Sequence, residues 1–206
     1  MGHIGILGGT FNPPHIGHLV MAQEALDQLD LDRVVFMPVA VPPHKEAQDD
    51  IGAAARVELC ELAVEDEERL AVSTLEVDRG GASYTVDTLR VLHDLEPEHE
   101  LIFIVGGDMA QSLPSWREPE AILGLARLAV AEREGVRRED IARRLDPLHS
   151  GDQVVFFDMP RIDVSSSAIR RRVAEGRPIR YLVPDRIAAA IAERGLYRQP
   201  AGRPAA

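Results

Sequence analysis

The run "LIFIV", Leu101 to Val105, offers no polar residue to either face of a strand. A strand of that kind has to be covered on both sides, as in a parallel sheet with helices above and below it. The rest of the chain supplies the parts for such a sheet. "HIGIL", "RVVFMPV", "LAVSTLEV", "LIFIVGG", "RLAVAER" and "QVVFFDM" read as six strands. Helical spacing appears in "HIGHLVMAQEALDQL", "AAARVELCELAVED", "YTVDTLRVLHDL", "EAILGL" and "REDIARRL". Two more helices, "SSSAIRRRVAEG" and "PDRIAAAIAERGL", close the chain. Strands alternating with helices predict an α/β domain with a mainly parallel six-stranded sheet and helices on both faces.

A chain of 206 residues suits one well-buried domain. We expect it to span 1–198, with "QPAGRPAA" at 199–206 as a frayed tail. No apolar run approaches the roughly 20 residues that cross a bilayer, and no basic stretch leads into an apolar one at the N-terminus. The lone cysteine, Cys60, excludes a disulfide within the chain and reads as a small core residue on a helix face. These features predict a cytoplasmic protein with no membrane partner. A net charge of −11 argues against a broad nucleic-acid surface but not against small anions, because a few cations focused in a cleft outweigh distant acids.

In parallel sheets of this kind ligands bind beyond the carboxyl ends of the strands. The unusual residues of this chain fall there. After the first strand comes "GGTFNPPHIGH": Gly8 and Gly9 permit positive φ and close backbone approach, and Thr10 adds a hydroxyl. His15 and His18 sit at the start of the next helix, whose N–H groups favour anions. Three positions apart, they share one side of the helix. Histidines so spaced serve as metal ligands, anion binders or surface residues, and the spacing alone does not choose.

After the sixth strand comes "VSSSAIRRR". One serine as helix cap is the ordinary explanation. It leaves Arg170, Arg171 and Arg172 placed against the helix dipole, which is sensible when an anion shares the spot. Ser165, Ser166 and Arg170 therefore form a candidate polyphosphate cradle, with Arg171 and Arg172 solvated. "PPHK" gives His44 and Lys45 on a loop stiffened by Pro42 and Pro43. "GGD" puts Gly106 and Asp108 at a strand end, suited to a ribose hydroxyl, a metal or a helix cap. Trp116, the only tryptophan, is a candidate platform for a flat ring. His3, His93, His99 and His149 belong to no constellation.

Taken in order, "GGTFNPPHIGH", "PPHK", "YTVDTL", "GGD", "SW" and "VSSSAIR" resemble the bacterial nicotinate-nucleotide adenylyltransferases, within the H-x-G-H nucleotidyltransferase superfamily. The resemblance runs from Gly5 to about Tyr197 and implies a Rossmann-like fold. It implies adenylyl transfer from ATP to nicotinate mononucleotide, with Mg²⁺ carried mainly on ATP. Nicotinamide mononucleotide as acceptor, or a non-catalytic nucleotide sensor, are the alternatives. The catalytic residues it implies are His15, His18 and Arg170. Gly8, Gly9, Thr10, Phe11, His44, Lys45, Gly106, Asp108, Ser165, Ser166 and Arg170 would bind ATP. Thr85, Trp116 and Arg133 would hold the mononucleotide. The chain departs from the family at Asn12, where Asp is common, and at Ser167, where Thr is frequent.

Overall fold

Side chains along the strand β4 (His99–Gly106) divide between two cores. Leu101, Phe103 and Val105 join one apolar cluster, while Ile102 and Ile104 join another. This is the alternation of a strand with both faces buried, as the "LIFIV" run requires. The computed structural model describes residues 2–42, 49–132, 138–148 and 151–198. Within them the elements before β4 are β1 (Gly2–Gly9), α1 (Ile16–Gln28), β2 (Arg33–Pro38), α2 (Ala53–Val64), β3 (Leu70–Val72), α3 (Leu75–Arg79) and α4 (Thr85–Leu95). After it come α5 (Gly107–Ser112), α6 (Pro119–Leu125), β5 (Arg127–Glu132), α7 (Arg138–Leu145), β6 (Val154–Asp158), α8 (Ser166–Ala174) and α9 (Asp185–Arg194).

The sheet order is β3-β2-β1-β4-β5-β6, and every pairing is parallel. The chain runs outward from β1 to β3, then returns to β4 on the other side of β1. That reversal makes the carboxyl ends of β1 and β4 the switch point where α/β folds of this order hold nucleotides. One core packs α4, α6 and α7 on the sheet through Val86, Leu89, Ile122, Leu123, Ile141 and Leu145. The opposite core uses Met21, Ala22, Ala25 and Leu26 of α1, with Cys60 of α2. Cys60 is fully buried, and burial pushes its thiol pKa far up, as expected of a core residue rather than a nucleophile.

A third cluster decides where the C-terminal helices go. Leu59 of α2 meets Ile169 of α8 and Ile187, Ala190 and Ile191 of α9. Complete burial of Ile169 and Ile187, each worth about 1.5–3 kcal/mol, seats α8 together with α9 against α2.

Three expectations need correction. "LAVSTLEV" is a strand only over Leu70–Val72; Leu75–Arg79 is helical. The Ser73 amide makes a last bond to the Phe36 carbonyl, and the Ser73 hydroxyl then accepts the Leu75 N–H, which turns the chain. The helix after "GG" starts at Gly107 with Gly106 as its cap, so Asp108 lies within its first turn and does not cap it. Gly8 and Gly9 do not form the turn: both lie in β1, and the positive φ, 49°, belongs to Phe11. The tail at 199–206 and His149 lie outside the described residues. Among those described, no helix is long and apolar enough to cross a membrane.

Candidate active site

Between β1 and α1 the chain makes a tight loop from Thr10 to His15, with a cis peptide before Pro13. His15 is the N-cap of α1 and His18 its third residue, and the two cap the helix start reciprocally. The His15 amide donates to Nδ1 of His18 at 3.1 Å, and the two rings stack with centroids 3.7 Å apart. Phe11 braces His18 edge-on at 5.0 Å and rests on Phe36. Since Nδ1 of His18 accepts a hydrogen, the ring proton of the neutral imidazole is on Nε2. Gly17 between them is buried in the helix, and a Cβ there would come within 3.1 Å of the His15 ring. Glycine is what lets the two rings stack.

The serine–arginine helix meets this loop directly. Ser165 caps α8 by accepting the Ala168 N–H, which gives that serine the ordinary role. The Ser166 hydroxyl donates to the Pro13 carbonyl at 2.7 Å. Arg170 Nη1 donates to the Asn12 carbonyl at 2.8 Å, and its Nη2 reaches the Ser167 hydroxyl at 3.4 Å. Its Nε is buried with no hydrogen-bond partner among the described residues. The first turns of both α1 and α8 contain no Asp or Glu, although the chain has 34 acidic residues. Two uncompensated helix N-termini, two histidines and an arginine thus converge on one short loop, an arrangement that attracts anions.

Of the residues expected on the pyridine side, Trp116 and Thr85 are described, and their elements are linked to each other. Trp116 meets Phe103 edge-on at 6.0 Å, and a Cβ on Gly8 would touch that same Phe103 ring at 3.6 Å. Trp116 Nε1 donates to the Ser112 hydroxyl, so the indole is held from both ends. Thr85 is the first residue of α4. The Trp116 loop is tied to that helix by Arg117, which lies over the Tyr84 ring at 4.9 Å and pairs with Asp87. Arg90 adds a 2.6 Å contact to Glu118, and this hydrogen bond holds the Glu118 carboxyl below the usual range. Gly106 ends β4 beside Met21 of α1, and Asp108 is exposed in the first turn of α5, where Gly106 is the cap. His44, Lys45 and Arg133 lie outside the described residues.

Other residues of the site were not singled out by sequence reasoning. Arg56 is 0 % exposed and spends its guanidinium on the carbonyls of Thr10, Val39 and Ala40 and on Asp50. It joins the loops that follow β1 and β2. The available signal was its place three and four residues before Leu59 and Cys60, a charge on the apolar face of α2. Phe103 looked like an ordinary core residue. Tyr197, whose hydroxyl donates to Asn12 Oδ1 at 2.7 Å, left no signal at all. Asn12 is 3 % exposed, and its amide nitrogen donates to the Asp49 carbonyl, a bond no carboxylate makes.

The cytidylyltransferase-like family matches residues 6–172. A "Probable nicotinate-nucleotide adenylyltransferase" of Halalkalibacterium halodurans is 42 % identical over 96 % of this chain and 92 % of its own length. One of the same name from Desulfitobacterium hafniense is 43 % identical, covering 95 % of both chains. Among solved structures, Plasmodium falciparum nicotinic acid mononucleotide adenylyltransferase complexed with NaAD superposes with a TM-score of 0.79 at 18 % identity, over 96 % of this chain and 98 % of that one. The same enzyme complexed with APC gives 0.78 at 17 % identity, with the same coverage. With the family match over residues 6–172 and relatives more than 40 % identical along nearly its whole length, the chain belongs to the cytidylyltransferase-like family and, within it, to the bacterial nicotinate-nucleotide adenylyltransferases.

Proposed function

We propose that this chain transfers the adenylyl group of ATP to nicotinate mononucleotide, forming deamido-NAD and pyrophosphate in NAD synthesis. The observation that carries this reading is the meeting of His15, His18, Ser166 and Arg170 on the single loop Asn12–His15. A phosphate oxygen of the mononucleotide attacks the α-phosphorus in line. As that P–O bond forms, the bond from the α-phosphorus to the bridging oxygen breaks, and pyrophosphate leaves with the electron pair. The attacking monoester is already an anion near neutral pH, so no general base is required. Catalysis then rests on positioning and on neutralising charge at the phosphates.

The residues divide that task. His18 presents Nε2–H to the crowded α-phosphoryl group, with His15 stacked behind it. Arg170 and Ser166, at the start of α8, receive the departing pyrophosphate. Gly8, Gly9, Thr10 and Phe11 line the junction of the two nucleotides, and Gly106 and Asp108 lie toward adenosine. Thr85 and Trp116 hold the pyridine ring; Arg133 is assigned to the mononucleotide, and His44 and Lys45 to the ATP phosphates. No group of three His, Cys, Asp or Glu among the described residues is placed to hold a metal ion. In this reading the phosphate charge would be neutralised in part by Mg²⁺ brought in with ATP.

The test is pyrophosphate release with ATP and Mg²⁺ when nicotinate mononucleotide, nicotinamide mononucleotide or phosphopantetheine is offered separately. Strong preference for the nicotinate form is expected. Equal use of both pyridine nucleotides would keep adenylyl transfer and overturn the carboxylate selectivity. Nucleotide binding without release for any acceptor would make the chain a sensor.

A further inference from the structure

We propose that Tyr197, acting through Asn12, is a positioning residue for Arg170. The inference rests on the adenylyl-transfer reading for its functional meaning and on four contacts for its geometry. The Tyr197 hydroxyl donates to Asn12 Oδ1 at 2.7 Å, across 185 positions of sequence. The other end of that amide, Nδ2, donates to the Asp49 carbonyl at 3.2 Å. The main-chain carbonyl of the same residue accepts Arg170 Nη1 at 2.8 Å. One residue on, the Pro13 carbonyl accepts the Ser166 hydroxyl.

Asn12 is therefore gripped at both ends of its side chain while its backbone carbonyl sets one of the guanidinium nitrogens. It follows Phe11, whose φ of 49° lies in the left-handed region, so the local backbone does not hold this orientation unaided. With both ends of its side chain tied, residue 12 resists displacement as a whole, and so does the carbonyl that anchors Arg170. Tyr197 is itself held in place. α9 ends at Gly195 with φ 63°, Leu196 bonds back to the Ile191 carbonyl, and Leu196 and Tyr197 pack on the cluster that seats α8. The phenol thus belongs to the same body as Arg170 and reports its position to the loop. Burial raises the Tyr197 pKa, so the hydroxyl remains a donor.

An amide at position 12 also suits the charge arithmetic. It accepts from Tyr197 without placing a carboxylate beside the arginine. The guanidinium charge stays available to a phosphate, and the donor to Asp49 is retained.

The experiment compares wild type, Tyr197→Phe, Arg170→Lys and the double variant by calorimetric titration with inorganic pyrophosphate, alongside kcat. Tyr181→Phe, altered at an exposed tyrosine, is the control. Tyr197→Phe is expected to weaken pyrophosphate binding about fivefold and lower kcat by about the same factor, the loss expected when one neutral hydrogen bond goes. In the Arg170→Lys background the same change is expected to have less than about a twofold further effect, since the two act as one unit. Wild-type pyrophosphate binding and kcat in Tyr197→Phe overturn the proposal, as do losses that multiply independently. A lower melting temperature with unchanged pyrophosphate binding makes Tyr197 a purely structural residue and also overturns it. Absence of turnover in wild type counts against adenylyl transfer alone, because the pyrophosphate cycle is read without turnover.

Discussion

The ring of His18 lies 3.7 Å from that of His15 and takes the His15 amide hydrogen on Nδ1. The stack and the hydrogen bond together orient Nε2 of His18 as a donor. His18→Ala is expected to lower kcat by about 10²–10³, the usual cost of losing one donor to a transition-state oxyanion. Stability should fall by only about 1 kcal/mol, the value of a helix-cap contact. Steady-state kinetics with urea unfolding check both numbers, and wild-type turnover would remove the histidine from the mechanism.

Gly17→Ala separates packing from chemistry. Alanine favours a helix over glycine by about 1 kcal/mol, so stability alone predicts no harm. The added methyl would press on the His15 ring at 3.1 Å, and His15 is only 5 % exposed and has little room to move. We expect kcat to drop at least about tenfold, as small misplacements of catalytic groups do, with the melting temperature held or raised. An active Gly17→Ala enzyme would show that the stack tolerates displacement.

Arg56→Met should be the most destabilising of these changes. It strips donors from the half-buried Thr10, Val39 and Ala40 carbonyls and leaves Asp50 without its cation. A loss of about 3 kcal/mol is expected, the low end for breaking a buried pair, because the Asp50 side chain is 27 % exposed and rehydrates. Arg56→Lys should recover part of it. Urea denaturation midpoints measure the difference.

Trp116→Ala is expected to weaken nicotinate mononucleotide and leave ATP nearly unaffected, since the indole rests on Phe103 and Ser112 and not on the histidine loop. Isothermal titration with each nucleotide decides the point. Equal losses for both would take Trp116 out of the pyridine site.

The Arg90–Glu118 contact predicts a pH dependence with a definite sign. The hydrogen bond from Arg90 lowers the Glu118 pKa from 4.5 in the folded chain, so the unfolded state binds its proton first as pH falls. Stability from this pair is fully present above that unfolded value and lost as pH drops through the lower folded one. The melting-temperature gap between wild type and Glu118→Gln should be small, constant above about pH 5, and close in more acid solution. High salt should shrink it, because both side chains are exposed.

The helix at Leu75–Arg79 and the buried Arg56 mark where the sequence ceased to be legible. Leu75-Glu76-Val77 alternates as a strand does, yet Glu76 turns inward to accept the Thr88 hydroxyl at 2.6 Å, a partner 12 positions away. Period alone carries no knowledge of that partner. The histidine pair, the capping serine and the arginine of α8 were readable because their spacing is local: three or four positions on a helix define one face.

By itself the sequence determined a parallel sheet covered on both faces, through apolar runs such as Leu101–Val105, and the placing of histidines, serines and arginine at strand ends. Local periodicity and helix-end chemistry suffice for that, because each depends on near neighbours in the chain. Only the tertiary structure decided that β1 and β4 would be neighbours, that α8 would dock on the loop from Asn12 to His15, and that Arg56 and Tyr197 would support that loop. Those outcomes depend on which apolar faces bury one another, Ile169 against Leu59 among them. A polar side chain reads the same in sequence whether its helix leaves it in water or folds it beneath a neighbouring backbone.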